Sequence, residues 1–132
     1  MKKIVLKIFV IQILFVLVVA CTLEEDDAVD CQNTYEYLQD LKILIEDQAA
    51  ESICNETFEC RSIAFGSKPC GGPWSYLVYS TSIDTLDLVN RVNEYNELEM
   101  NFNINCGAVS DCAVVNPPTS LICENNQCIA IY

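Results

Sequence analysis

Nine cysteines and no histidine in 132 residues narrow what this chain can fold into. Eight of them are Cys31, Cys54, Cys60, Cys70, Cys106, Cys112, Cys123 and Cys128; the ninth, Cys21, stands apart at the end of an apolar N-terminal stretch. A zinc site needs clustered thiolate or imidazole ligands at short spacings. With no histidine and no paired C-x-x-C motifs, neither a metal site nor a dithiol redox centre is expected, and no cofactor is implied. An even set of cysteines in an exported domain reads instead as a disulfide framework, here four bridges. Spacing alone does not choose among the roughly one hundred pairings that eight cysteines allow. Whether the chain is exported is decided by its first 21 residues.

Lys2, Lys3 and Lys7 make a basic start, and residues 8–20 are apolar except for Gln12. A charged start followed by a short apolar run is the layout of an export signal. The run is shorter than the roughly 20 residues a membrane-spanning helix needs. It ends in Val18-Val19-Ala20-Cys21, which resembles the lipobox of bacterial lipoprotein precursors: an aliphatic residue, a tolerant position, a small residue and a cysteine. That resemblance covers residues 1–21. It implies a diacylglyceryl thioether on Cys21, cleavage before it, and further acylation, of the palmitate type, on the new amino terminus. More than one acyl chain is what stable anchoring to a membrane requires. The expected organisation is therefore a signal peptide at 1–20, a tether at 21–29 and a disulfide-stabilised domain at 30–132.

Removing the signal changes the charge. All 19 acidic residues follow Cys21, against four basic ones (Lys42, Arg61, Lys68, Arg91), a net charge of −15. Such a surface repels nucleic acid, so no nucleic-acid function is expected. Solubility and self-repulsion account for most of this charge. The tether contains Glu24, Glu25, Asp26 and Asp27 and is too polar to pack. An acidic run just after the lipidated cysteine also resembles the surface-export signal of Bacteroidota lipoproteins. Together these imply a lipid-anchored protein of the cell envelope, in the outer membrane and exposed at the surface.

The domain reads as α+β. A first helix is expected at 33–51, where Cys31, Tyr35, Leu38, Leu41, Ile45 and Ala49 form one face, with Asn33 as cap and Glu36 as its capping-box partner. Its C-terminal end is acidic and unfavourable to the helix dipole, so it is expected to fray unless Cys54 pins it. Residues 57–65 and 74–81 read as strands joined by a Gly- and Pro-rich loop. A second helix is expected at 84–102, capped by Asp84 or Ser82, with a stripe of Leu88, Val92, Tyr95, Glu99 and Phe102 that Glu99 spoils. Gly107 and the asparagines before it should end that helix. The tail is a hairpin, 121–124 and 127–131, turning at Asn125-Asn126. Cys123 and Cys128 then face each other. They can bridge directly or reach back to Cys106 and Cys112; the second is preferred, since longer loops constrain the unfolded chain more. The expected fold is two helices against a short antiparallel sheet, held by disulfides.

Residues 66–74, Gly-Ser-Lys-Pro-Cys-Gly-Gly-Pro-Trp, form the most distinctive segment. An exposed Lys68 beside a cystine suggests a protease-inhibitor loop, Lys68-Pro69-Cys70. Lys68, Gly71, Gly72 and Trp74 equally suggest an interaction loop with Trp74 as anchor. The simplest reading is structural, a Gly71-Gly72-Pro73 turn that delivers Trp74 and Tyr76 into the core. This loop, the Tyr-Leu-Val-Tyr-Ser run after it, Ser110-Asp111-Cys112 and the Cys-x4-Cys hairpin are similar to small cysteine-rich lipoproteins of Bacteroidota. The similarity spans residues 60–128 and implies no activity.

Catalysis is not expected: there is no histidine base, no nucleophile motif and no phosphate loop, which leaves a hydrolase built on paired carboxylates as the weakest alternative. Asp84, Asp87 and Asp111 are candidate calcium ligands, without calcium-loop spacing. Asn55-Glu56-Thr57 fits an N-glycosylation acceptor that a bacterial lipoprotein does not normally present to that machinery. Asp84-Thr85-Leu86 resembles the O-glycosylation site of exported Bacteroidota proteins and makes Thr85 a candidate. The expectation is thus a membrane-anchored binding or structural protein with an envelope protein as partner. Replacing Cys21 with Ser separates the two uses of cysteine. Membrane association in cell fractionation should be lost while four disulfides still form; a misfolded product would place Cys21 among the disulfide partners.

Overall fold

The computed structural model describes residues 30–132; the expected signal peptide, Cys21 and residues 22–29 lie outside the described residues. Helix α1 (Cys31–Ala50) is followed by strands β1 (Cys60–Phe65) and β2 (Ser75–Ser80), helix α2 (Thr85–Asn105) and strands β3 (Ser120–Glu124) and β4 (Gln127–Ile131). The chain is a disulfide-rich α+β domain. Its strands divide into two separate antiparallel hairpins, β1-β2 and β3-β4.

α1 is capped three residues earlier than expected and begins at Cys31. Asp30 is the cap, accepting the amides of Gln32 and Asn33 at 3.1 Å each. Asp30 wins because a carboxylate serves two of the orphan donors of the first turn at once. Asn33 is left to donate its side-chain amide to Asp30, and Glu36 accepts from Gln32 rather than from a cap backbone. β1 starts later than expected, because Asn55 captures the amides of Thr57 and Phe58 and turns the chain there. α2 starts at the Asp84 cap and runs on to Asn105, three residues past its predicted end. Asn103 and Asn105 spend their side chains on Ser67 and Asn101 carbonyls, and Gly107, at φ +64°, ends the helix.

The two helices lie antiparallel, joined at one end by Cys31–Cys106 and near the other by a Gln48–Asp87 hydrogen bond. Leu38, Leu41, Ile45 and Ala49 of α1 meet Leu88, Val92 and Tyr95 of α2, and Phe65 and Tyr79 of the first hairpin close the core. The register Ile63↔Leu77 and Arg61↔Tyr79 puts Ile63, Leu77 and Tyr79 on the helix side of that hairpin. Tyr35 contributes less than its place in the stripe suggests: it stays half-exposed, its ring tilted against Phe102 at 6.2 Å.

The second hairpin turns at Asn125 and Asn126, both at positive φ (53° and 65°), as a two-residue turn of this hand requires. Cys123 and Cys128 face each other across it. They bridge neither each other nor Cys106 and Cys112, and the preference for those partners is corrected here. Cys123 binds Cys54 and Cys128 binds Cys60, while Cys106 binds Cys31 and Cys112 binds Cys70. The reason lies in the packing: the hairpin runs alongside β1 and β2, and the Cys54 amide donates to the Asn126 carbonyl. Cys54, fully buried just beyond α1 and bridged to Cys123, pins the acidic end of that helix.

Leu88 has no exposed surface and sits where both helices and the first hairpin converge. Leu88→Ala should lower the unfolding free energy by about 2–5 kcal/mol, read from denaturant melts with all disulfides intact.

Candidate functional site

The loop 66–74 is fixed in place by α2. Asn96, Glu99 and Asn103 follow one another at helical spacing along its surface and each takes a different part of the loop. The Gly66 amide donates to Asn96 Oδ1 at 2.7 Å, while Asn96 Nδ2 donates to the Ala64 carbonyl at 3.1 Å. The Ser67 amide donates to Glu99 Oε2, and Asn103 Nδ2 donates to the Ser67 carbonyl. Glu99, which breaks the apolar stripe in the sequence, is therefore there to hold the loop. Its other oxygen accepts from the buried Tyr95 hydroxyl at 3.1 Å. Burial, and then the Glu99 charge, raise the Tyr95 pKa far above its ordinary value, so this hydroxyl remains a donor.

Gly66 is demanded by its surroundings. Its φ is +82°, and a Cβ there would meet Trp74 Cδ1 at 2.5 Å. Further along, the Lys68 amide donates to the Gly72 carbonyl and the Gly71 amide to the Lys68 carbonyl, closing a tight turn. Gly71 and Gly72 both hold positive φ within it.

Lys68 does not protrude, as the inhibitor reading needs. It is 7% exposed. Its ammonium donates to Asp111 Oδ1 and to the Ala113 carbonyl, both at 2.9 Å, and lies 5.1 Å from the centre of the Trp74 ring. Three partners on a desolvated ammonium make a bolt between the loop and the segment after α2. Cys70–Cys112 ties the same two segments covalently. Trp74 also departs from expectation. It is not delivered into the core but is 43% exposed, and Tyr76 is half-buried on the face of the sheet away from the helices. The indole borders a depression of about 300 Å³ with Gln39, Lys42, Phe65, Tyr95 and Glu99. On the other side of the loop, Pro69 and Gly71 meet Met100, Ile104 and Ala108 around a second depression of about 370 Å³.

The other sequence candidates are not brought together with this loop. Asp84 caps α2 and Thr85, half-buried, is its first residue, so that motif has a structural task. Asp87 binds Gln48 and Arg91, and Asp111 binds Lys68, so the three candidate calcium ligands each serve a different partner. Asp87 lines a shallow groove of about 560 Å³ with Asp40, Asp47, Glu51 and Arg91. Its pKa is lowered by the hydrogen bonds from Arg91 and then Gln48. The sulfurs of Cys54, Cys60 and Cys128 lie within 4.8 Å of one another, but all three are consumed by two neighbouring disulfides. Among the described residues no helix is long and apolar enough to cross a membrane.

The Lys68 hydrogen bond lowers the Asp111 pKa below its ordinary 3.8. A depressed carboxylate stabilises the fold above its unfolded pKa, and that contribution is lost as pH falls through the folded value. Asp111 should therefore titrate below 3.8 by carboxyl NMR, and Lys68→Met should return it toward 3.8. No change in the variant would mean that the ammonium does not govern this carboxylate.

Compared with known proteins, the chain matches no family model, no curated protein and no solved structure.

Proposed function

We propose that this chain is a lipid-anchored lipoprotein of the bacterial cell envelope, held by Cys21, that works by binding an envelope protein through the surface around Trp74. Anchoring is supported by the Val18-Val19-Ala20-Cys21 lipobox behind a basic and apolar leader. Outer-membrane, surface-exposed placement is supported by the acidic run that follows it.

The observation that carries the binding role is an exposed indole on an immobilised loop. The indole is 43% exposed, and the loop that carries it is secured by a disulfide, a buried ammonium and three helix side chains. Rigid aromatic anchors lose little entropy on binding and dominate interface energetics.

Two rival readings draw less support. A trypsin-type inhibitor must extend a lysine into a protease pocket, and Lys68 is buried with its ammonium fully engaged. A carboxylate-based hydrolase needs an acid held protonated, with a raised pKa. Among the described residues the two shifted carboxylates, Asp87 and Asp111, are both moved downward, first of all by Arg91 and Lys68.

A photoreactive residue in place of exposed Ser75, beside Trp74, should give one reproducible protein adduct in intact cells. Trp74→Ala should abolish that adduct and weaken binding of the identified partner by about 2 kcal/mol, roughly thirtyfold in Kd. An adduct indifferent to Trp74, or no adduct at all, would remove the binding reading.

A further inference from the structure

We infer that the end of the domain bearing Cys31–Cys106 is its membrane-facing end, and that Met100, Ile104 and Val109 rest in the lipid interface when Cys21 is anchored. The inference rests on the lipid-anchored reading above and deepens it by assigning an orientation.

The first argument is the distribution of charge. Seventeen of the 19 acids precede position 100, and residues 100–123 contain a single charged side chain, Asp111. That one is paired with Lys68. Residues 69–83 carry no charge at all, but no other run of 24 residues after Cys21 has as few charges as this one. Carboxylates are costly to bring out of water into an interface, so an acidic domain can approach lipid only through a surface without them.

The second argument is that this neutral stretch exposes apolar side chains. Ile104 is 73% and Val109 91% exposed, and Met100, one helical turn before Ile104, is 47% exposed. Met100, Ile104, Ala108 and Pro69 border one shared depression. Asparagines 101, 103 and 105 alternate with these residues, and an uncharged amide tolerates the headgroup region better than a carboxylate does. Of the carboxylates nearest this end, Glu99 accepts from the Ser67 amide and the Tyr95 hydroxyl, and Asp111 pairs with Lys68. Across the Cys31–Cys106 bridge, Asp30 is engaged by the first-turn amides of α1 and Glu36 by Gln32, while exposed Glu97, one turn before Met100, marks where the acidic flank begins.

The third argument is the position of the tether. It enters the domain at Asp30, beside Cys31, and Cys31 is 5.8 Å (Cα to Cα) from Cys106, two residues after Ile104. Nine peptide units separate Cys21 from Asp30. Extended, they reach about 30 Å at most. The opposite end, at Cys54 and the Asn125-Asn126 turn, lies about a further 30 Å away along α1, at 1.5 Å per residue. A lipid on Cys21 thus tethers the domain by its neutral end. Shallow apolar insertion of this kind extends about 5–10 Å into the headgroup boundary.

The test uses the lipidated, processed protein in phosphatidylcholine vesicles, with dibrominated acyl chains as a depth-limited quencher. Trp74→Phe removes the native tryptophan, and Ile104→Trp or Ile53→Trp supplies one reporter at the near or far end. Emission from position 104 should be lost in brominated vesicles and retained in unbrominated ones, while emission from position 53 is retained in both. Val109→Trp, beyond the helix, repeats the measurement where helix packing is not at stake, and non-reducing mass verifies four disulfides in each variant. If the protein co-floats with vesicles but neither near-end reporter is quenched, the orientation is overturned, and a concentration-dependent dimer in that case would assign the face to a second copy. If the protein does not co-float, and behaves as Cys21→Ser does, the anchoring itself fails.

Discussion

Every disulfide in this domain joins residues far apart in the chain, by 75, 69, 68 and 42 positions. That long-range stapling is the constraint on which the rest depends. The core is small, and no residue of the second hairpin belongs to it. Ile122, Ile129 and Ile131 are exposed on that hairpin, and an isolated two-stranded hairpin is marginal in water. Its attachment comes from Cys54–Cys123 and Cys60–Cys128, which join it to the end of α1 and the start of β1. Bridges closing loops of this size contribute about 2–4 kcal/mol each, a large fraction of what a domain of this length has in total.

The same logic extends to the loop at 66–74. A segment with two prolines and three glycines between positions 66 and 73 has little local preference for one conformation. It acquires one because polar groups on α2 take its backbone and because the Lys68 ammonium is buried against Asp111, the Ala113 carbonyl and Trp74. Buried charges contribute little net stability but strongly penalise alternatives in which they lose their partners. Lys68 therefore specifies the loop more than it strengthens it. The consequence is a partly exposed Trp74 whose position is fixed by the loop that carries it.

Much of this architecture is readable from the residues. The helical stripes, the Asp84 cap, the Asn125-Asn126 turn and the even set of eight cysteines follow from local periodicity and turn chemistry, and the structure has all four. Local rules fail where a side chain serves a distant segment. Asn33 and Asp30 are both adequate caps by sequence, and only geometry shows Asp30 serving two amides. Glu99 looks like a flaw in the stripe of α2, because the Ser67 amide it receives is 32 residues away. Lys68 looks exposed for the same reason: its partners, Asp111 and Ala113, are 43 and 45 residues on. The disulfide pairing is hidden likewise, since it depends on where the second hairpin packs.

A signal for part of this was nonetheless present. A glutamate interrupting an apolar helix face, with asparagines three positions before and four after it, is a row of amide and carboxylate groups on one side of a helix. Such a row has little to gain from solvent alone when its neighbours Tyr95 and Phe102 are turned inward. Its natural counterpart is a backbone with no ladder of its own, and the only long glycine- and proline-rich segment here is 66–73. Irregular loops near a core must place their N–H and C=O groups somewhere. Polar interruptions on otherwise buried helix faces are therefore where to look for the docking positions of such loops, and in this chain that pairing builds the surface on which Trp74 stands.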